Sequence, residues 1–195
     1  MFCAFLLYFS LPVFGQSVQY EITSQVVGAG PTFAALGHFD NDGISDIAVV
    51  NREGCSISMI LSSGAADEGT ENLIPLCESE KIFPFDILSD DFNGDNIDDL
   101  VITYFPDPGD GHLAGRGIGY IPGPDYSQVF KVDGLKLPVG IASGDLDDDG
   151  RIDVAVADVE LKKVIIYSIE SGTNEPPEFK DSGEIVMQEN GPYRI

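Results

Sequence analysis

The apolar positions of this chain fall in short runs separated by clusters of Gly, Ser, Asp and Asn. No stretch sustains a helical period of about 3.6 residues for more than two turns, so the pattern predicts strands rather than helices. The runs IAVV from Ile47, LVIT from Leu100 and VAVA from Val154 are continuously apolar and β-branched or small. That is the expectation for strands covered on both faces. Flanking segments such as SVQYEITSQVV, YSQVFKVDG and GEIVMQEN alternate more nearly, as half-exposed strands do. The polar clusters between them carry turn residues.

The pattern repeats. PTFAALGHFDNDGISDIAVV from Pro31, PFDILSDDFNGDNIDDLVIT from Pro84 and PVGIASGDLDDDGRIDVAVA from Pro138 align without a gap, and their starts are almost evenly spaced along the chain. Within the first unit, strands are expected near 32–38, 46–51, 56–62 and 72–79. Four-stranded antiparallel units repeated head to tail are the plan of a β-propeller, an all-β fold in which each blade covers an apolar face of the next. The blades are expected at about 31–83, 84–137 and 138–191, with Pro192 opening a fourth copy at 192–195. Ser17 to Val27 reads as an N-terminal strand that would close a ring. Propellers use roughly four to eight blades. About three blades therefore imply either the N-terminal part of a larger ring or an arc that closes by association, with self-association through its exposed end blades.

Residues 1–15, MFCAFLLYFSLPVFG, are apolar and uncharged. They are too short for a membrane span of about 20 residues and suit a signal-peptide core, with a mature start near Gln16. A buried N-terminal strand is the alternative reading. No second apolar stretch approaches the length of a membrane span, so no membrane insertion is expected. Loss of Cys3 with a leader would leave Cys55 and Cys77 as an even pair. In a hairpin of 55–62 with 71–78, facing residues would sum to about 132 or 133, and Cys55 with Cys77 sums to 132. A cross-strand disulfide is one outcome and two free buried thiols the other. A secreted, extracellular protein is the resulting expectation.

Composition sharpens this picture. Thirty-three acidic residues against 10 Lys and Arg give a net charge of −23, on a chain that is 43% hydrophobic. The apolar content argues for a core rather than disorder. The charge repels phosphate backbones and anionic membrane surfaces, which excludes a nucleic-acid module.

Much of that charge sits in one acidic loop of each repeat. Counting from the first candidate ligand, the third loop has Asp145, Asp147, Asp149 and Asp153 at positions 1, 3, 5 and 9, with Gly150 at 6 and the Arg151 carbonyl at 7. Alternate oxygens in a tight turn make a hard, flexible cage suited to Ca²⁺. The second loop offers Asp91, Asn93, Asp95, the Ile97 carbonyl and Asp99, with Asn96 at the bend. The first offers Asp40, Asp42, the Ile44 carbonyl and Asp46, but His38 stands at position 1, and a neutral imidazole is a poor Ca²⁺ ligand. Position 12, the Glu of an EF-hand, is Val49, Ile102 or Val156, so the EF-hand reading fails.

The pattern D-x-D-x-D-G-x-x-D followed by an apolar strand resembles the FG-GAP repeat, also called VCBS-type, of integrin α-subunit N-terminal propellers and many secreted proteins. The resemblance covers nearly all of residues 17–195. It implies a seven-bladed propeller, Ca²⁺ in the loop joining the first two strands of a blade, and a role in adhesion or recognition of an extracellular protein or glycan. No nucleophile motif, phosphate loop or zinc-protease signature occurs, and His112 sits in a Gly-rich loop, so no enzyme activity is expected. A propeller belonging to a secreted hydrolase or lyase, and a truncated gene product without function, are the competing readings. Tyr104, Phe105, Tyr120 and Tyr126 are the aromatic candidates for a binding face.

Overall fold

The computed structural model describes residues 24–63, 70–77, 82–106 and 115–170, together with the strand backbone of 11–13, 16–18 and 178–186. Two short strands, β1 (Leu11–Val13) and β2 (Gln16–Val18), form an antiparallel pair. Twelve strands follow in three groups of four. The first sheet holds β3 (Pro31–Gly37), β4 (Asp46–Asn51), β5 (Ser56–Leu61) and β6 (Thr70–Pro75). The second holds β7 (Ile82–Asp90), β8 (Asp99–Pro106), β9 (Arg116–Ile121) and β10 (Phe130–Leu135). The third holds β11 (Pro138–Gly144), β12 (Asp153–Asp158), β13 (Lys163–Glu170) and β14 (Glu178–Val186). Each sheet is an open antiparallel meander in chain order, and no helix occurs among the described residues.

The all-β expectation and the four-strand unit are therefore met, one sheet per sequence repeat. Two details differ from the sequence reading. The β5–β6 register pairs Ser56 with Pro75 and Ile57 with Ile74, a sum of 131 rather than 132 or 133. Cys55 and Cys77 consequently lie just past the last pair, where the Leu76 amide still donates to the Cys55 carbonyl (3.0 Å), and the disulfide closes the open end of the hairpin. Such a bond fits an oxidising compartment. The N-terminal strand expected along 17–27 does not run through 24–27, and residues 19–23 lie outside the described residues. Gln16–Val18 pairs with Leu11–Val13, across the expected leader boundary, and residues 24–30 carry no strand. Their backbone is used elsewhere: the Gly54 amide donates to Ala29 O (2.8 Å), the Arg52 amide to Gly30 O (2.9 Å), and the Gly28 amide to Ser58 Oγ (3.2 Å).

The sheets stack face on face, which explains the unbroken apolar runs. In β8, alternate side chains serve different cores: Leu100, Ile102 and Tyr104 join Ala48, Val50, Ile57 and Met59 of the first sheet. Val101, with Ile118 and Tyr120 of β9, joins Val154, Val156 and Tyr167 of the third. A strand covered on both sides has no polar face to alternate. The first strands of the sheets also touch: Ser89 Oγ donates to Leu36 O (2.6 Å), and Ser143 Oγ lies 3.1 Å from Asp90 Oδ2.

Candidate metal centre

All three acidic loops occupy the same place, between the first and second strands of a sheet, and share one backbone solution. Two positions in each take left-handed φ: Asn41 (62°) and Gly43 (79°), Gly94 (79°) and Asn96 (69°), Asp148 (65°) and Gly150 (83°). Gly, Asn and Asp are the residues that enter this region at least cost. Position 6 was legible as the bend. Position 4 was missed, although Asn, Gly and Asp at that position carried the signal.

This winding aims successive amides at the preceding carboxylates. In the third loop Asp145 accepts the amides of Asp149 (3.1 Å) and Gly150 (2.9 Å), Asp147 that of Asp149 (3.2 Å), and Asp149 that of Arg151 (2.9 Å). The second loop repeats the scheme with Asp91 accepting from Asp95 and Asn96, Asn93 Oδ1 from Asp95, and Asp95 from Ile97. The first keeps only its last two links, Asp42 to Asp40 and Ile44 to Asp42. His38 takes no part in them. Its amide donates to Asp98 Oδ2 (2.8 Å) and its ring Nδ1 stands 3.7 Å from the same oxygen, on the neighbouring sheet's loop.

Asp145, Asp147 and Asp149 bring one carboxylate oxygen each to within 4.8 Å of one another, and among the described residues they are the group of three or more His, Cys, Asp or Glu that does so. All three are exposed. Arg151 Nε donates to Asp149 Oδ2 (2.8 Å), and this contact, with the Arg151 amide on the same carboxylate, holds the Asp149 carboxyl below its usual range. Each carboxylate retains lone pairs beyond these bonds. Three hard oxygens against one guanidinium leave negative charge at the centre, a donor set that fits Ca²⁺.

The position 9 aspartates are not part of that cluster. Asp46, Asp99 and Asp153 are buried, and Asp46 and Asp153 close their own loops. Asp46 accepts the Phe39 amide (2.9 Å) and the Ser62 amide (2.7 Å), and Asp153 accepts the Leu146 amide (2.9 Å). Asp99 accepts from Tyr120 OH (2.8 Å), the Gly123 amide (2.8 Å) and Asn93 Nδ2 (3.2 Å). Burial pushes the Asp99 carboxyl up to about 6; the Gly123 amide and Tyr120 hydroxyl oppose this, and the Asp95 and Asp91 charges add to it. Nothing in the loop sequence sets Asp99 apart from its two equivalents. Its surroundings come from β9 and the turn that follows, which lie far along the chain from the loop itself.

Three of the four aromatic candidates are corrected, and the fourth, Phe105, is half-buried. Tyr104, Tyr120 and Tyr126 are buried in the intersheet cores, with hydroxyls directed to Asp133 (2.5 Å), Asp99 (2.8 Å) and the Asp98 carbonyl (2.8 Å). Buried tyrosines end on such partners. His112 and its neighbours Asp107 and Asp110 lie outside the described residues. Among the described residues no helix is long and apolar enough to cross a membrane. The sequence matches no protein-family model, and a search of curated proteins found no match.

Proposed function

We propose that this chain is a calcium-binding repeat module of a secreted protein, built from FG-GAP/VCBS-type propeller blades and serving recognition or adhesion without catalysis. One observation carries the reading: the Asp145, Asp147 and Asp149 carboxylates converge in a loop whose backbone scheme recurs, one repeat earlier, around Asp91, Asn93 and Asp95. The disulfide supports an extracellular setting. In the third loop Asp145, Asp147 and Asp149, with the Arg151 carbonyl, would hold the ion. Bound Ca²⁺ supplies charge that the clustered carboxylates otherwise lack. The second loop would hold it through Asp91, Asn93, Asp95 and the Ile97 carbonyl. The first, without a carboxylate at position 1, is expected to bind most weakly.

What the chain's own residues do is structural. The loop amides hold the carboxylates in one arrangement, so binding does not have to order the loop from scratch. Affinities for extracellular modules of this kind run at about 10⁻⁴ to 10⁻³ M. Titration calorimetry and thermal unfolding of the full chain, with and without Ca²⁺, test the reading. A Ca²⁺-dependent rise in Tm that Asp145→Ala abolishes supports it. Equal Tm in chelator and in millimolar Ca²⁺ counts against it.

A further inference from the structure

Between β5 and β6 of the first sheet and residues 122–129, which join β9 to β10, lies a cavity of about 680 Å³. Folded interiors leave few voids larger than a water molecule, so a space of this size between two packed sheets calls for an occupant. Its volume falls in the range of about 300–1,000 Å³ that takes a small organic ligand. Phe39, Met59 and Tyr126 form its buried wall, with the Phe39 and Tyr126 rings edge to face at 5.9 Å. The Tyr126 hydroxyl is engaged by the Asp98 and Phe39 carbonyls (2.8 and 3.3 Å), which leaves the ring to serve the wall. Leu61, Ile74 and Val129 add half-buried apolar surface, and Leu73 is exposed at the mouth.

The charged lining is of one sign. Asp40 and Asp125 are exposed at the cavity, and among the described residues no Lys, Arg or His lines it. Asp125 is fixed by its own turn: its Oδ1 accepts the Ser127 amide (2.8 Å) and the Ser127 hydroxyl (2.9 Å), and the Tyr126 amide donates to Pro122 O (3.1 Å). The two Ser127 bonds hold its carboxyl below the usual range, so it is ionised at neutral pH. Asp40 accepts the Asp42 amide (3.1 Å). Both carboxylates retain lone pairs beyond these bonds. A cleft with low-dielectric walls and charges of one sign focuses its field and gathers counter-ions.

We propose that this cavity binds a small organic ammonium ion, its apolar body against Met59, Ile74 and Val129 and its charged end toward the carboxylates at the mouth. An anion of the same shape meets two carboxylates and no cation, and a neutral molecule gains only the apolar wall. The inference does not depend on the calcium reading, although Asp40 is also a candidate ligand of the first loop. Ca²⁺ there would draw on that carboxylate and leave Asp125 to the amine.

Amide NMR of the full chain in chelator, titrated to millimolar concentrations with phenethylammonium, tests the proposal; phenethyl alcohol is the neutral probe and phenylacetate the anionic one. The ammonium ion is expected to shift the amides of residues 72–74 and 125–129, the alcohol to shift the same amides at higher concentration, and phenylacetate to leave them in place. Asp125→Asn keeps an acceptor for Ser127 and removes the charge. By the usual strength of exposed ion pairs it should weaken the ammonium ion by up to about fivefold and leave the alcohol unchanged. Leu73→Trp, at an exposed position, fills the mouth and should abolish binding of both while keeping its Tm. Absence of shifts, shifts confined to the acidic loops, or alcohol or phenylacetate binding as well as the ammonium ion overturns the proposal. So does ammonium binding that both variants leave unchanged. The Ca²⁺-dependent rise in Tm is measured without amine, so either reading can fail while the other stands.

Discussion

Asp158 ends β12, the second strand of the third sheet, and is almost completely buried. Its Oδ2 accepts the amides of Lys136 (2.6 Å) and Leu137 (3.1 Å), and its Oδ1 that of Leu161 (2.9 Å). One carboxylate thus ties the linker that enters the third sheet to the turn between β12 and β13. Burial alone would raise this carboxyl, but the amides of Leu161, Lys136, Leu137 and Glu160 outweigh it and hold the group below its usual 3.8. Asp158→Asn keeps the shape and one acceptor oxygen, and sets an N–H donor against a backbone N–H. Loss of one buried acceptor and of charge assistance is worth about 1–3 kcal/mol. For a chain of this size that lowers Tm by about 2–12 °C. The sign with pH follows from linkage: a carboxyl depressed in the folded state contributes stability present above its unfolded value and lost as pH falls through the folded one. The gap in Tm between wild type and Asp158→Asn is therefore expected to be full at neutral pH and to shrink below about pH 4. Thermal unfolding of both proteins at fixed, saturating Ca²⁺, read as their difference at each pH, measures it. A variant within about 0.5 kcal/mol of wild type at pH 7, the scatter of an ordinary surface change, would refute the assigned role.

Three further outcomes are expected. Tyr126→Phe removes a hydroxyl that bridges the Asp98 and Phe39 carbonyls (2.8 and 3.3 Å) between the second and first sheets, and should cost about 1 kcal/mol in chemical denaturation while leaving the m-value unchanged. Replacing both Cys55 and Cys77 by Ala opens a loop spanning 22 residues, for which chain entropy gives a loss of about 3 kcal/mol; an unchanged denaturation midpoint would deny the bond a stabilising part. His38→Asp supplies the missing carboxylate at position 1 of the first loop and should strengthen Ca²⁺ binding there, raising the stoichiometry measured by calorimetry at a given concentration.

Strands, turns and the repeat were legible because they depend on local order: apolar runs of the right length, Gly and Asn where the chain must bend, and the even spacing of Pro31, Pro84 and Pro138 that brings the same loop round again. The acidic loops belong to the same class, since Asp145, Asp147 and Asp149 converge through bonds between near neighbours in the chain. Position 9 does not. That Asp153 closes its own loop, while Asp99 turns to Tyr120 and Gly123, depends on side chains that another strand delivers. The tyrosines failed as surface candidates for a related reason: aromatic residues look alike in sequence whether they line a cleft or fill one, and only the stacking of sheets put Tyr104 and Tyr120 inside.

By itself, then, the sequence determined an all-β chain of repeated four-stranded units, each with a loop rich in oxygen ligands, because each property is written within one period. Tertiary structure alone decided which of two apolar faces meets which. In a strand such as β8, apolar at Leu100, Val101 and Ile102 in succession, nothing local distinguishes the two sides. Only the direction of stacking separates Leu100 and Ile102, packed on the first sheet, from Val101, packed toward the third.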